Sequence, residues 1–250
     1  MLKIAIFGYG QMGRILERIA PDHDCRVVKI SDPNNEAYRE PIDSESLKNV
    51  DICLDFSLPE AVITNVRKAG AAGKNIVIGT TGWYDDLPEV KKIAAEHGRG
   101  ILYGGNFSFG MNLFFLMLKQ SAGLISETNL YDVFGYELHH KKKADSPSGT
   151  ARELAEIIKE NFPAKKTAQF DRLQRKIEPD EFQIASIRGG SIPGTHVIGF
   201  DSPFDTIELK HTARTREGFA VGALKAAHWL KGKTGFFEFQ KIFTDLLNER

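Results

Sequence analysis

The first nineteen residues constrain the fold more than any other stretch. Leu2–Phe7 reads LKIAIF, an apolar run of strand length. Gly8-Tyr9-Gly10-Gln11-Met12-Gly13 follows directly, and Met12, Ile15, Leu16 and Ile19 then recur at helical spacing. GxGxxG alone is only a turn. Between a strand and a helix it opens a dinucleotide-binding βαβ unit. Gly8 allows the tight turn, Gly10 lets the backbone approach a pyrophosphate, and Gly13 lets the helix sit close to the sheet. Arg26–Ser31 reads as the second strand, with Asp32 where an acid accepts hydrogen bonds from an adenosine ribose. Pro33-Asn34-Asn35 follow, with no arginine to pair a 2′-phosphate. An acid there repels that phosphate, so NADH is expected to be favoured over NADPH.

The alternation continues. Val50–Phe56, Asn75–Ile78 and Ile101–Tyr103 read as strands. A helix starts near Ser57, with Ser57 or a neighbour as N-cap and Pro59 in the first turn, and another covers Asp86–His97. This order predicts an α/β class fold, a Rossmann-type doubly wound parallel sheet. Gly79-Thr80-Thr81-Gly82 and Gly104-Gly105-Asn106-Phe107 stand at strand ends, as Gly8–Gly13 does. All three loops should line the carboxyl edge of one sheet. Gly79, Thr80, Thr81, Gly104, Gly105, Asn106 and Phe107 therefore join Gly8, Tyr9, Gly10, Gln11, Met12, Gly13 and Asp32 as candidate cofactor contacts.

The second half changes character. A helix with an apolar face starts at Ser108. A strand, Asp132–Leu138, delivers His139 and His140. The stretch from Glu137 to Thr150 reads ELHHKKKADSPSGT and leads into a helix traced by Ala151, Leu154, Ala155, Ile158 and Phe162, with Ser148 or Thr150 placed to cap it. Cations followed by a helix N-terminus make a receptor for an anionic substrate. Residues 163–179 are polar and aperiodic and read as an exposed loop. Phe182–Arg188, Thr195–Asp201 and Asp205–Thr212 read as strands without intervening helices, which predicts an α+β second domain with an antiparallel or mixed sheet. Helical patterns return at Glu217 and around Phe239–Leu247, and these are expected to pack back on the first domain. The predicted division is 1–107 with 217–250, and 108–216.

Charge and cysteine content exclude several classes. Lys+Arg and Asp+Glu are both 33 in 250 residues, so no global field attracts nucleic acid or an anionic membrane. The two cysteines, Cys25 and Cys53, form no CxxC and no zinc-spaced cluster, so no metal site is expected. With no charged n-region before LKIAIF and no apolar run longer than Leu113–Leu118, the expected setting is cytoplasmic.

With these residues in place, the chain resembles the 4-hydroxy-tetrahydrodipicolinate reductase (dihydrodipicolinate reductase) family over nearly its whole length. The most specific element is EXHHXXKXDXPSGTA, present as Glu137–Ala151; Gly79–Gly82, Asn106–Ser108 and RGGSIPGTH (Arg188–His196) also match. Two departures stand out. The glycine loop is compact where the family often has an extra residue, and Ser146 replaces the common alanine. The resemblance implies hydride transfer from a reduced nicotinamide to a cyclic imine dicarboxylate of lysine and diaminopimelate biosynthesis. It implies that His139 is a proton donor or acceptor, that Lys143 donates the proton completing reduction, and that His140, Gly149 and Thr150 bind the substrate. It further implies that 108–216 is a substrate-binding and oligomerisation domain, that the active site lies between the two domains, and that the protein is a homotetramer. Neighbouring like charges would ease proton loss from Lys143, while Lys141 and Lys142 are read as field and solubility. The runner-up is another two-domain NAD(P) amino-acid dehydrogenase, of the aspartate or homoserine type. A non-catalytic dinucleotide sensor is the reading from a different class.

Overall fold

The structure, a computed structural model, describes residues 1–248. The chain forms two compact units. The first is built from residues 1–109 and the described residues from Arg216 onward, the second from Gly110–Thr215.

The first unit holds β1 (Leu2–Phe7), α1 (Gln11–Ile19), β2 (Cys25–Ser31), β3 (Ile52–Asp55), α2 (Val62–Ala71), β4 (Asn75–Ile78), α3 (Leu87–His97) and β5 (Gly100–Tyr103). β1, β2, β3, β4 and β5 run parallel in the order β2-β1-β3-β4-β5, so the winding reverses between β1 and β3. Buried strands on both faces explain the unbroken apolar runs in the sequence. Ala5, Phe7, Cys53, Ile76, Ile78 and Ile101 pack with Val62, Val66, Ala69, Val90, Ile93 and Ala94 of α2 and α3. The alternate residues Ile4, Ile6, Ile52, Leu54, Val77 and Leu102 are equally buried on the other face, against α1 and α6 (Glu217–Leu230).

The sequence pattern missed a strand here. β11 (Gly235–Glu238), after the second unit's strands, pairs parallel with β5 and leads into α7 (Phe239–Asn248). Its apolar residues run straight into the helical pattern, so periodicity alone merged the two. Asn75 fastens this return: its Nδ2 donates to the carbonyls of Leu230 and Lys233, both at 2.8 Å, and its Oδ1 accepts from Gly100 N–H at 2.9 Å. Ser57 is not a helix cap. Its hydroxyl donates to Asp55 at 2.6 Å, and a short 3-10 turn, Pro59–Ala61, precedes α2.

The second unit holds α4 (Phe109–Thr128), which begins at the boundary, β6 (Asp132–His139), α5 (Gly149–Asn161), β7 (Thr167–Gln169), β8 (Glu181–Arg188), β9 (Thr195–Asp201) and β10 (Thr206–Thr212). The sheet is mixed, in the order β10-β9-β6-β8-β7, with β6, β8 and β7 parallel and β9 antiparallel to both β6 and β10. One face packs on Met111, Phe114, Phe115 and Leu118 of α4 and on Ala151, Leu154, Ala155 and Ile158 of α5. Each fully buried Leu, Ile or Phe there contributes about 1.5–3 kcal/mol. The expected loop over 163–179 is only partly a loop. It contains edge strand β7, and Lys165 is buried because its ammonium donates to the carbonyls of Pro179 and Glu181 and pairs with Asp132 at 2.6 Å. No described helix is long and apolar enough to cross a membrane.

A Cβ on Gly13 would lie 2.2 Å from the Gly8 carbonyl oxygen, while one on Gly10 would meet nothing within 4 Å. Gly13→Ala is therefore expected to cost about 1–3 kcal/mol, and Gly10→Ala less than about 0.5 kcal/mol, measured by urea unfolding of the nucleotide-free protein.

Candidate active site

At the carboxyl edge of the first sheet, Gly8 has φ +90° and leaves no room for a side chain, since a Cβ would stand 2.4 Å from the Phe56 carbonyl oxygen. Gly10 is exposed and is the N-cap of α1 without a side-chain cap, so the helix N-terminus opens onto free space. Gln11 is exposed beside it and Met12 half-buried. Asp32 is tied to this loop: its Oδ2 accepts from Tyr9 N–H at 2.7 Å and its Oδ1 from Asn34 N–H at 2.9 Å. A feature the spacing did not reveal lies here too. Asp32 N–H donates to the Tyr38 carbonyl at 2.8 Å, which returns Tyr38 and Arg39 to the strand end; Tyr38 packs on Tyr9 with ring centroids 4.5 Å apart.

The other two loops are held from beneath. Asp55 at the end of β3 is fully buried and accepts from Ser57 N–H and Oγ, Asn65 Nδ2 and Thr80 Oγ1 at 2.6–2.9 Å. Its backbone carbonyl takes the N–H groups of Gly79 and Thr80. Burial pushes the Asp55 carboxyl up against the opposing pull of those hydrogen bonds. Thr80 is thus committed below the loop, while Thr81 is exposed. Gly79 and Gly104 are packing glycines, with added Cβ atoms 2.2 Å from the Phe56 ring and 2.9 Å from Phe239 Cβ; a Cβ on exposed Gly105 would meet the Tyr84 hydroxyl at 3.0 Å. Asn106 Oδ1 accepts from Ser108 N–H at 2.9 Å and shapes the last loop. The Phe107 ring lies in the core against Phe56 and Phe239, so its backbone is what remains for a ligand.

In the second unit, strand register builds a polar row that the sequence could not show. Glu137 of β6 stands directly opposite Ser186 of β8 and His196 of β9, and His139 opposite Arg188. Glu137 is 0% exposed. Its Oε1 accepts from Ser148 N–H at 2.9 Å, Ser186 Oγ at 2.8 Å and Arg188 Nη2 at 2.9 Å; its Oε2 accepts from the Ser148 hydroxyl. Burial pushes this carboxyl up, but the hydrogen bonds from His196, Ser148 and Ser186 outweigh it and hold the group well below the usual range. Ser148, not Thr150, caps α5, accepting from Ala151 N–H at 3.1 Å. Arg152 N–H is satisfied by the Ser148 carbonyl, which leaves the amides of exposed Gly149 and half-buried Thr150 at the mouth of the helix.

His139 is buried, with Nδ1 3.4 Å from Glu137 Oε2. Burial, assisted by the charges of His196, Lys143 and Arg188, pulls its pKa down to about 4 despite Glu137, so the imidazole is neutral at neutral pH. His140 is half-buried. Lys143 is paired with Asp145 at 2.7 Å, and Lys141 and Lys142 are exposed. The expected crowding of Lys143 by like charges thus meets an acid two residues on, which the turn folds onto its ammonium. Arg188 also donates to the Asp145 carbonyl at 2.6 Å and so binds the loop to β8. Glu137, His139 and His196 bring three ligand atoms within 4.8 Å of one another, but Ser148, Ser186 and Arg188 already engage the oxygens of Glu137.

Comparison with known proteins gives the family. Two family models, the N-terminal and C-terminal parts of dihydrodipicolinate reductase, match residues 2–107 and 110–243. The chain belongs to the dihydrodipicolinate reductase family. It is 37% identical over 248 residues to the 4-hydroxy-tetrahydrodipicolinate reductase of Christiangramia forsetii, covering 98% of this chain and 99% of that one. It is likewise 37% identical over 247 residues to the enzyme of the same name from Rickettsia rickettsii, covering 97% and 99%. A dipicolinate-bound dihydrodipicolinate reductase from Paenisporosarcina sp. TG-14 shares the fold, with a TM-score of 0.77 at 23% identity over 97% of this chain and 99% of that one. A probable dehydrogenase from Thermotoga maritima also shares the fold, at a TM-score of 0.58, 13% identity, and 98% and 94% coverage. The basic loop falls inside the C-terminal family model, which sets aside the aspartate or homoserine dehydrogenase reading. Ser186 and Asp55 carried no signal in the sequence; Arg188 and His196 did, as the two ends of RGGSIPGTH.

The site has an acid-side signature. His139 is held below its unfolded value, so the folded protein binds fewer protons than the unfolded chain between about 6.5 and 4, and stability falls as pH drops through that window. Glu137, held well below the usual carboxylate range, adds a further loss only below about 4.5. Thermal unfolding followed at several pH values should show this decline, and His139→Gln should flatten it.

Proposed function

We propose that the chain catalyses the NAD(P)H-dependent reduction of 4-hydroxy-tetrahydrodipicolinate to tetrahydrodipicolinate, in lysine and diaminopimelate biosynthesis. The carrying observation is the α5 N-terminus, whose Gly149 and Thr150 amides open beside the β6 end that bears His139, His140 and Lys143. Amide donors and cations together suit a dicarboxylate. Loss of the 4-hydroxyl with a C3 proton as water leaves a conjugated imine; a bound nicotinamide would supply hydride to that imine, and Lys143 would supply the proton that completes the reduction. Gly149, Thr150 and His140 hold a substrate carboxylate. His139, neutral at neutral pH, serves as acceptor or neutral donor of hydrogen bonds to the reacting ring.

Residues 1–107 with 217–250 are assigned to the dinucleotide and 108–216 to the substrate; Glu249 and Arg250 lie outside the described residues. Gly8, Tyr9, Gly10, Gln11, Met12 and Gly13 take the pyrophosphate, Asp32 the ribose, and Gly79, Thr80, Thr81, Gly104, Gly105, Asn106 and Phe107 the nicotinamide half. Asp32 favours NADH; Arg39, next in sequence to Tyr38, is paired with Glu36 at 3.7 Å. We assign the enzyme to the cytoplasm, where Cys25 and Cys53 stay free thiols. Homotetramer assembly through the second sheet is supported by its other face. Alternation turns Phe134, Tyr136, Leu138 and Ile187 away from α4 and α5, and Ile187 is 49% exposed.

Lys143→Ala should lower kcat by at least about 100-fold with NADH affinity intact; equal loss of cofactor binding would refute the assigned role. Asp32→Ala should weaken NADH and shift preference toward NADPH, and an unmoved ratio of the two kcat/KM values would remove Asp32 from the ribose site. Light scattering should give the mass of four chains, and a monomeric mass would refute the assembly.

A further inference from the structure

The proposed chemistry gives Glu137 no task, yet its carboxylate is fully buried and joins four elements. Oε1 is filled by Ser148, Ser186 and Arg188, and Arg188 balances the charge. Oε2 takes the Ser148 hydroxyl and faces two imidazoles, that of His139 two residues on in β6 and that of His196 across in β9. His139 presents Nδ1 to it at 3.4 Å, and His196 presents Nε2 at 3.4 Å. The two rings meet edge to face, 5.1 Å apart, and so stay distinct in orientation. His139 Nδ1 and His196 Nδ1 make no hydrogen bond among the described residues, so Glu137 acts on His139 Nδ1 through its charge, and His196 Nε2 also lies 3.5 Å from the Ser148 hydroxyl.

A ring nitrogen facing an anionic oxygen at this distance is attracted if it carries the proton and repelled if it presents its lone pair. The two histidines offer different nitrogens to the same oxygen, so the same rule gives them different protons. We propose that Glu137 is a positioning residue that fixes opposite tautomers on two histidines, Nδ1–H on His139 and Nε2–H on His196. His139 then keeps its lone pair on Nε2. That nitrogen faces Gly194, where φ is +156° and an added Cβ would come within 3.1 Å of it. The side of the ring available for proton handling is thus set by a carboxylate on the opposite side. Ser148 links the same carboxylate to the start of α5, so one buried group orients both the imidazole and the helix amides. The catalytic use of Nε2 rests on the reductase reading; the tautomers themselves do not.

Long-range 1H–15N correlation spectra of protein labelled with 15N-histidine, at pH 7.5 and without ligands, test this directly. His139 and His196 signals are assigned by their loss in His139→Gln and His196→Gln. Nδ1–H on His139 with Nε2–H on His196 is the expected pattern. The same tautomer on both rings, or an imidazolium at either, would overturn the proposal. In Glu137→Gln, with its fold checked by far-UV circular dichroism, His139 should lose its single tautomer. Its kcat/KM for the imine should fall between about 10- and 10⁴-fold with the NADH dissociation constant unchanged. A folded variant with both tautomers and kcat/KM intact would also overturn it. If the variant does not fold, the wild-type spectrum alone decides. Opposite tautomers in a protein without reductase activity would refute the functional reading and leave this assignment standing.

Discussion

A buried carboxylate organises the second unit. Taking an ion such as Glu137 fully out of water costs several kcal/mol, and only a complete set of donors offsets that. Here the donors come from β8 (Ser186 and Arg188), from the α5 cap (Ser148) and from the region of His196 on β9. Each partner is tied down because the others satisfy the same group. The loop between β6 and α5 is pinned at its far side by Arg188, which bridges Glu137 to the Asp145 carbonyl. Without this centre, the helix mouth and the His139 ring would have no common reference.

The first unit follows the same logic with a different acid. Asp55 ends β3 next to the point where the sheet reverses its winding, the place where ligands bind in sheets of this type. It draws the loop after β3 and the loop after β4 onto one carboxylate through Ser57, Asn65 and Thr80. The glycines divide accordingly. Gly13, Gly79 and Gly104 are required by close packing, whereas Gly10 leaves open space at the start of α1. In the first unit the candidate ligand contacts are mostly backbone or small, and in the second Gly149 and Thr150 stand beside His139, His140 and Lys143; in both, buried acids one layer beneath hold the loops.

Much of this was legible in the sequence, because the first unit is built from local signals. A strand, a glycine turn and a periodic helix each fall within a few residues, and β1, β4, α1 and α3 lie close to where spacing placed them. The chain did not reveal β7, a short, partly exposed edge strand without alternation, or β11, whose apolar residues blend into α7. His139, Lys143 and the α5 start were legible as a single run. Ser186 and His196 were not legible as partners of Glu137, since 49 and 59 residues separate them and only the register of β6 with β8 and β9 brings them together. Lys143 has basic neighbours in sequence, but the turn brings the Asp145 carboxylate onto its ammonium at 2.7 Å, a pairing that residue order alone does not show. Sequence proximity described which groups were present, and the fold decided which of them faced each other.

The central claim is the reaction itself. The measurement that bears on it most directly is nicotinamide absorbance in a coupled assay that generates the cyclic imine in situ, run with NADH and with NADPH. The account predicts cofactor oxidation that depends on both the enzyme and the imine, with one cofactor consumed per imine reduced. Absence of oxidation with either cofactor, in the presence of demonstrated imine, would contradict it.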